Sequence, residues 1–132
     1  MSPPPAPAHG DQQSEIVYLL KTLLPHGRVV TECPLSTSDG VKAIDVAWLA
    51  PERREEVRSV SCLVQAPEIC VEVLSPSNTP EEISEKIALY FESGAREVWI
   101  CERGTLKFYF PPTPEIRHSS EMCPEFPPHI SV

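Results

Sequence analysis

Residues 68–102, "EICVEVLSPSNTPEEISEKIALYFESGAREVWICE", constrain this chain more than any other stretch. "EICVEVL" (68–74) is nearly continuous apolar and β-branched sequence of strand length, as expected for a strand covered on both faces. A helix signature follows. Thr79 is placed as N-cap, Pro80 at the first helical position, Glu81 and Glu82 in the first turn, and Gly94 as the stop. Ile83, Ile87, Tyr90 and Phe91 form its apolar stripe. "EVWICE" (97–102) then returns as a second strand. A strand, helix, strand succession of this kind is a crossover between parallel neighbours, so the chain is committed to a sheet with helices packed on it.

The flanking segments extend that sheet. From Asp11 to Leu24, Ile16, Leu20, Leu23 and Leu24 with Val17 and Leu19 recur at helical spacing, and Pro25-His26-Gly27 ends the helix. "RVVTEC" (28–33) and "VKAIDVAWL" (41–49) predict a hairpin around the turn 36–40. Segment 50–59 is polar and expected as an exposed loop or one helical turn, after which "VSCLVQAP" re-enters the core. Arg103-Gly104 turns the chain into "TLKFYF" (105–110), a final hairpin strand. The expected class is α/β (α+β), a mixed sheet flanked by helices. With 132 residues, one domain is expected. Four of the sixteen prolines lie in the first seven residues and six between Pro111 and Pro128, so regular structure is expected between about Ser14 and Phe110, with loop-like ends at 1–10 and 111–132.

Composition narrows the function. No apolar run approaches the ~20 residues of a membrane span, and "MSPPPAPAHG" does not resemble a secretory signal; the expected location is cytoplasmic. Cys33, Cys62, Cys70, Cys101 and Cys123 are odd in number and never spaced CxxC, which predicts buried free thiols. His9, His26, His118 and His129 show no paired spacing and receive no metal role. There is no Gly-rich phosphate loop, and Ser75 lacks a GxSxG context. The formal net charge of -8 repels polyanions at long range, so any nucleic-acid contact must come from a local basic site, an attached partner or a metal ion.

Three charges do not fit a core. Asp45 sits in a strand whose alternation puts Ile44, Val46 and Trp48 on one face and Val41, Ala43, Asp45 and Ala47 on the other. Its small neighbours leave a concavity for a ligand; the plainer alternative is an edge-strand acid facing solvent. Glu72 stands between Val71 and Val73, where an ionised carboxylate needs a partner. That partner is a lysine or arginine, or a divalent ion such as magnesium or manganese shared with Asp45, since two carboxylates on neighbouring strands repel unless a cation lies between them. Lys86 falls on the edge of the helix stripe beside Tyr90, from where its ammonium can reach the rim of the sheet. The alternative is an i, i+4 ion pair with Glu82.

With "VKAIDVAWL" and "APEICVEVLSPSNTPEEISEKIALYFESGAREVWIC" in view, the chain resembles the Uma-two family of bacterial restriction-endonuclease-like proteins, in the PD-(D/E)XK nuclease superfamily. The resemblance runs from about Met1 to the C-terminus. It implies a sheet core flanked by helices and a divalent-metal phosphodiesterase site, in which Asp45 matches the family's aspartate, Glu72 its second acid, and the Val73 carbonyl is a further metal ligand. The superfamily's lysine two residues after the acid is Leu74 here; Lys86 on the following helix matches its replacement. Ile44 stands where the superfamily has proline. "MSPPPAPAHG" resembles a segment that follows an N-terminal hairpin in longer members, which implies that this hairpin is lacking.

The leading expectation is therefore metal-dependent hydrolysis of a DNA phosphodiester by Asp45, Glu72 and Lys86 with magnesium or manganese. A homodimer is expected only because nucleases that cut duplexes often pair. The rival is a non-catalytic interaction domain that keeps the fold, and RNA or branched DNA would share the same site.

Overall fold

The computed structural model describes residues 6–112 and 115–132. Helix α1 (Pro7–Leu23) is followed by strands β1 (Arg28–Thr37) and β2 (Gly40–Leu49), a 3-10 turn at Pro51–Arg53, helix α2 (Arg54–Ser59) and strand β3 (Ile69–Val73). Helix α3 (Pro80–Glu92) and strands β4 (Glu97–Glu102), β5 (Thr105–Phe110) and β6 (Glu115–Arg117) complete an α+β fold. The six strands form one sheet in sequence order. Among the described strands, β3 and β4 pair in parallel, joined by α3, and the other neighbours are antiparallel. Among the described residues, no helix is long and apolar enough to cross a membrane.

The β3–α3–β4 unit forms as its local signals dictate. The Thr79 hydroxyl accepts from the Glu82 amide, Pro80 opens the helix, and Gly94 follows it with φ 105°, a conformation suited to glycine. All five residues of β3 are buried. Alternation along β3 sends Ile69, Val71 and Val73 to the face covered by Ile16 and Leu20 of α1, and Cys70 to the face covered by Ile87 and Tyr90 of α3.

Both ends are more ordered than expected. Helix α1 begins at Pro7, because proline is favoured at a first helical position, so residues 7–10 of the expected N-terminal loop are helix, while 1–5 lie outside the described residues. Past residue 110, β6 pairs with β5, and Cys123, Phe126 and Ile130 enter the α1-side core. The buried Glu97 carboxylate anchors this tail, accepting from the Trp99 indole (2.9 Å), the Ser120 hydroxyl (2.6 Å) and the amides of Glu121 (3.1 Å) and Met122 (2.8 Å). Segment 61–66 re-enters the core through Leu63 and Ala66 without forming a strand beyond a single bridge from Leu63 to Leu35. Cys33, Cys70, Cys101 and Cys123 are buried free thiols and Cys62 is half-buried.

Strict alternation along β2 fails at one place. Ile44 packs with Ala47 and Leu49 on the α3 side, not with Val46 and Trp48 on the α1 side. The break falls where the β1–β2 ladder skips Glu32 and Asp45, and Glu32 has a left-handed φ of 48°. β2 also parts from β3 there, since their ladder begins at Val46 and Val71.

Candidate active site

Where β2 and β3 part, backbone N–H groups lose their ladder partners, and buried donors of this kind are almost always satisfied by other acceptors. Two carboxylates take them. The Asp45 amide donates to Glu72 Oε2 (3.1 Å), and the Val73 amide donates to Asp45 Oδ2 (2.8 Å). Each acid is thus fixed by backbone next to the other. Asp45 is on an interior strand with its side chain 15% exposed, which removes the edge-strand alternative.

Glu72 faces α3 with its side chain 5% exposed. The Lys86 ammonium donates to its Oε1 at 2.8 Å, and the Tyr90 hydroxyl donates to its Oε2 at 3.2 Å. Lys86 therefore pairs with Glu72 rather than with Glu82, whose Oε2 meets the Asn78 side-chain amide at 3.5 Å. Burial raises the proton affinity of Glu72, the Asp45 charge raises it further, and Lys86 opposes both. For Lys86, burial favours loss of the proton, but the charge and hydrogen bond of Glu72 outweigh it and the net shift is upward. The Tyr90 phenol is pushed up by burial first and by Glu72 next, so it stays a donor.

Asp45, Glu72 and Lys86 thus meet at one point. Val73 joins them through its amide, which donates to Asp45. Helix α1 adds two residues that sequence reasoning missed. His9 Nε2 lies 3.4 Å from Asp45 Oδ2, and Gln13 Nε2 donates to the Asp45 carbonyl at 2.8 Å. Residues 9, 13, 16 and 20 recur at helical spacing, so extending the Ile16–Leu20 stripe backward would have found them. His9 borders a cleft of about 200 Å³ with Ser75 and Arg103, while Glu72 and Lys86 line a small recess with Leu74 and Ile100.

A divalent ion can be tested against these donors. Among the described residues no group of three or more His, Cys, Asp and Glu side chains is gathered as a metal cluster. Magnesium, however, commonly rests on one or two carboxylates and keeps several waters. Asp45 Oδ1 receives no hydrogen bond among the described residues, and the repulsion that raises Glu72's proton affinity is the kind a cation relieves. The two carboxylates fit such an ion.

The model of the Uma2 (Uma-two) family, described as "Putative restriction endonuclease", matches residues 1–127. None of the curated proteins compared matches significantly. Among solved structures, the fold is similar to that of a putative nuclease belonging to DUF820 from Anabaena variabilis, with a TM-score of 0.75 and 21% identity over 89% of this chain and 69% of that one. The chain belongs to the Uma2 family, and its sheet and helices are those of a nuclease-like fold.

Proposed function

From that membership we propose that the protein is a metal-dependent endonuclease that hydrolyses DNA phosphodiester bonds, with Asp45, Glu72 and Lys86 as its catalytic residues. The observation that supports the reading best is the convergence of two acids and one ammonium where β2 leaves β3. Asp45, Glu72 and the Val73 carbonyl would hold magnesium or manganese. When bound, such an ion polarises a phosphate and lowers the pKa of a coordinated water.

The chain's own groups supply the rest. Lys86, kept protonated by Glu72, orients the attacking water or meets the charge that develops on the phosphate. Tyr90 and the Asp45 amide hold Glu72 Oε2 in place, leaving that carboxylate little freedom to swing. Gln13 braces the Asp45 backbone from α1. Lys86 thereby occupies on a helix the role that Leu74 cannot fill on the strand. A pair of such subunits would address both strands of a duplex.

Calorimetric titration with manganese tests the reading. Wild-type protein should bind the ion and Asp45→Asn should not, while a shared absence of binding at millimolar metal would favour the rival, a non-catalytic interaction domain. In Asp45→Asn an amide oxygen still accepts from Val73, so lost binding would not reflect a lost fold.

A further inference from the structure

A larger cleft, about 530 Å³, lies between the start of α3 and the β4–β5 hairpin, lined among others by Leu74, Asn78, Ile83, Arg103, Lys107 and Tyr109. It shares Leu74, Asn78, Ile83 and Ile100 with the recess of Glu72 and Lys86, and Arg103 with the cleft of His9. It therefore adjoins the candidate site. Alternation along β5 sends Leu106, Phe108 and Phe110 into the core and leaves Lys107 exposed and Tyr109 half-buried on the opposite face.

Two cations on this rim have no ion pair among the described residues. Arg103 and Lys107 are both exposed, and Glu102 beside them pairs with neither. Arg103 also occupies a costly position, with φ 52° ahead of Gly104 at φ 82°. Two-residue hairpin turns with both φ positive favour Asn-Gly, so an arginine there bears strain that asparagine would lessen. The turn is held in place by Gln12 of α1, whose Oε1 accepts from the Gly104 amide at 3.2 Å.

Resting on the nuclease reading, we infer that this cleft binds one unstacked nucleotide of a single strand beside the scissile phosphate. Tyr109 stacks on the base, and Arg103 and Lys107 hold the flanking phosphates. The volume lies within the ~300–1,000 Å³ of small-ligand pockets, which suits a nucleotide rather than a duplex. A paired base would have to be unstacked to enter, whereas a single strand offers its bases free. The acidic chain, at -8, adds no general attraction for a duplex backbone.

The experiment is fluorescence anisotropy in EDTA with a labelled oligothymidine of about 12 nucleotides, a length within single-strand site sizes, and a duplex of equal length. The single strand should bind at least about tenfold tighter than the duplex, Tyr109→Leu should weaken it about tenfold, and Tyr109→Phe should retain binding. Arg103→Gly, which accepts the positive φ without strain, and Lys107→Ala should each lower the slope of log affinity against log salt by about 0.7. Wild-type binding that is absent, unaffected by these variants, or as tight for duplex overturns the inference. If the variants weaken binding but no metal-dependent cleavage exists, the cleft stands and the nuclease reading falls. Asp45-dependent cleavage with normal binding by the variants gives the reverse.

Discussion

Replacing Lys86 by methionine keeps most of its stem but leaves Glu72 buried without its counter-charge. Breaking a buried ion pair from one side costs roughly 3–5 kcal/mol. Here the lysine end is 36% exposed, against 5% for the glutamate, so solvent screens part of the attraction. Tyr90 and the Asp45 amide also stay on Oε2. The expected loss is therefore reduced to about 1–3 kcal/mol. Its sign with pH follows from the same groups. Lys86 is what opposes burial and Asp45 at Glu72, so without it the carboxyl binds its proton more tightly still. An acid with raised affinity in the folded state contributes stability that is complete below its unfolded pKa, near 4.5, and lost as pH rises through the folded value. The destabilisation should thus grow from acid to neutral pH. Urea denaturation of wild type, Lys86→Met, Glu72→Gln and the double variant measures both effects. The double variant should lose about 1–2 kcal/mol less than the sum of the singles; additivity within ~0.5 kcal/mol, or a loss that does not change with pH, would refute the pairing.

Glu97→Gln should destabilise the protein by about 2–4 kcal/mol, because an amide turns donors toward groups that already donate to both carboxylate oxygens. Limited proteolysis should then cut the 118–132 tail faster, and an unchanged rate would count against the anchor. Burial pushes the Cys33, Cys101 and Cys123 thiols up to about 11 and Cys70 upward as well. A thiol reagent at about pH 8 should label only half-buried Cys62 quickly, and three or more fast thiols would contradict this packing. The same shifts contribute stability that is complete below the ordinary thiol pKa of 9.0 and lost as pH rises through about 11, so alkaline melts should show a fall across that interval.

The crossover unit was legible because its signals are local and contiguous. Thr79, Pro80 and Gly94 bound α3, and β4 and β5 begin and end where their apolar runs do. Lys86 was legible too, since its place on the helix arc beside Tyr90 already directed it to the rim where Glu72 waits. Other parts depend on tertiary contacts. The left-handed Glu32 that accompanies the kink at Asp45 has no local sequence signal, so alternation alone misplaced Ile44. Proline density disguised the first turn of α1 and with it His9, whereas Gln13 lay within the expected helix but carried no signal that it would reach Asp45. The tail carries no periodicity, and its order comes from Phe126 against Trp99, at 4.6 Å between ring centroids, and from the acceptors of Glu97.

Cleavage itself decides whether Asp45 and Glu72 serve a metal-dependent nuclease. Wild type, Asp45→Asn and Glu72→Gln are incubated with single-stranded and with duplex DNA, each with magnesium or manganese and with EDTA. Products should appear only from wild type and only with metal; equal cleavage by either variant, or none by wild type on either DNA, would overturn the assignment of Asp45 and Glu72.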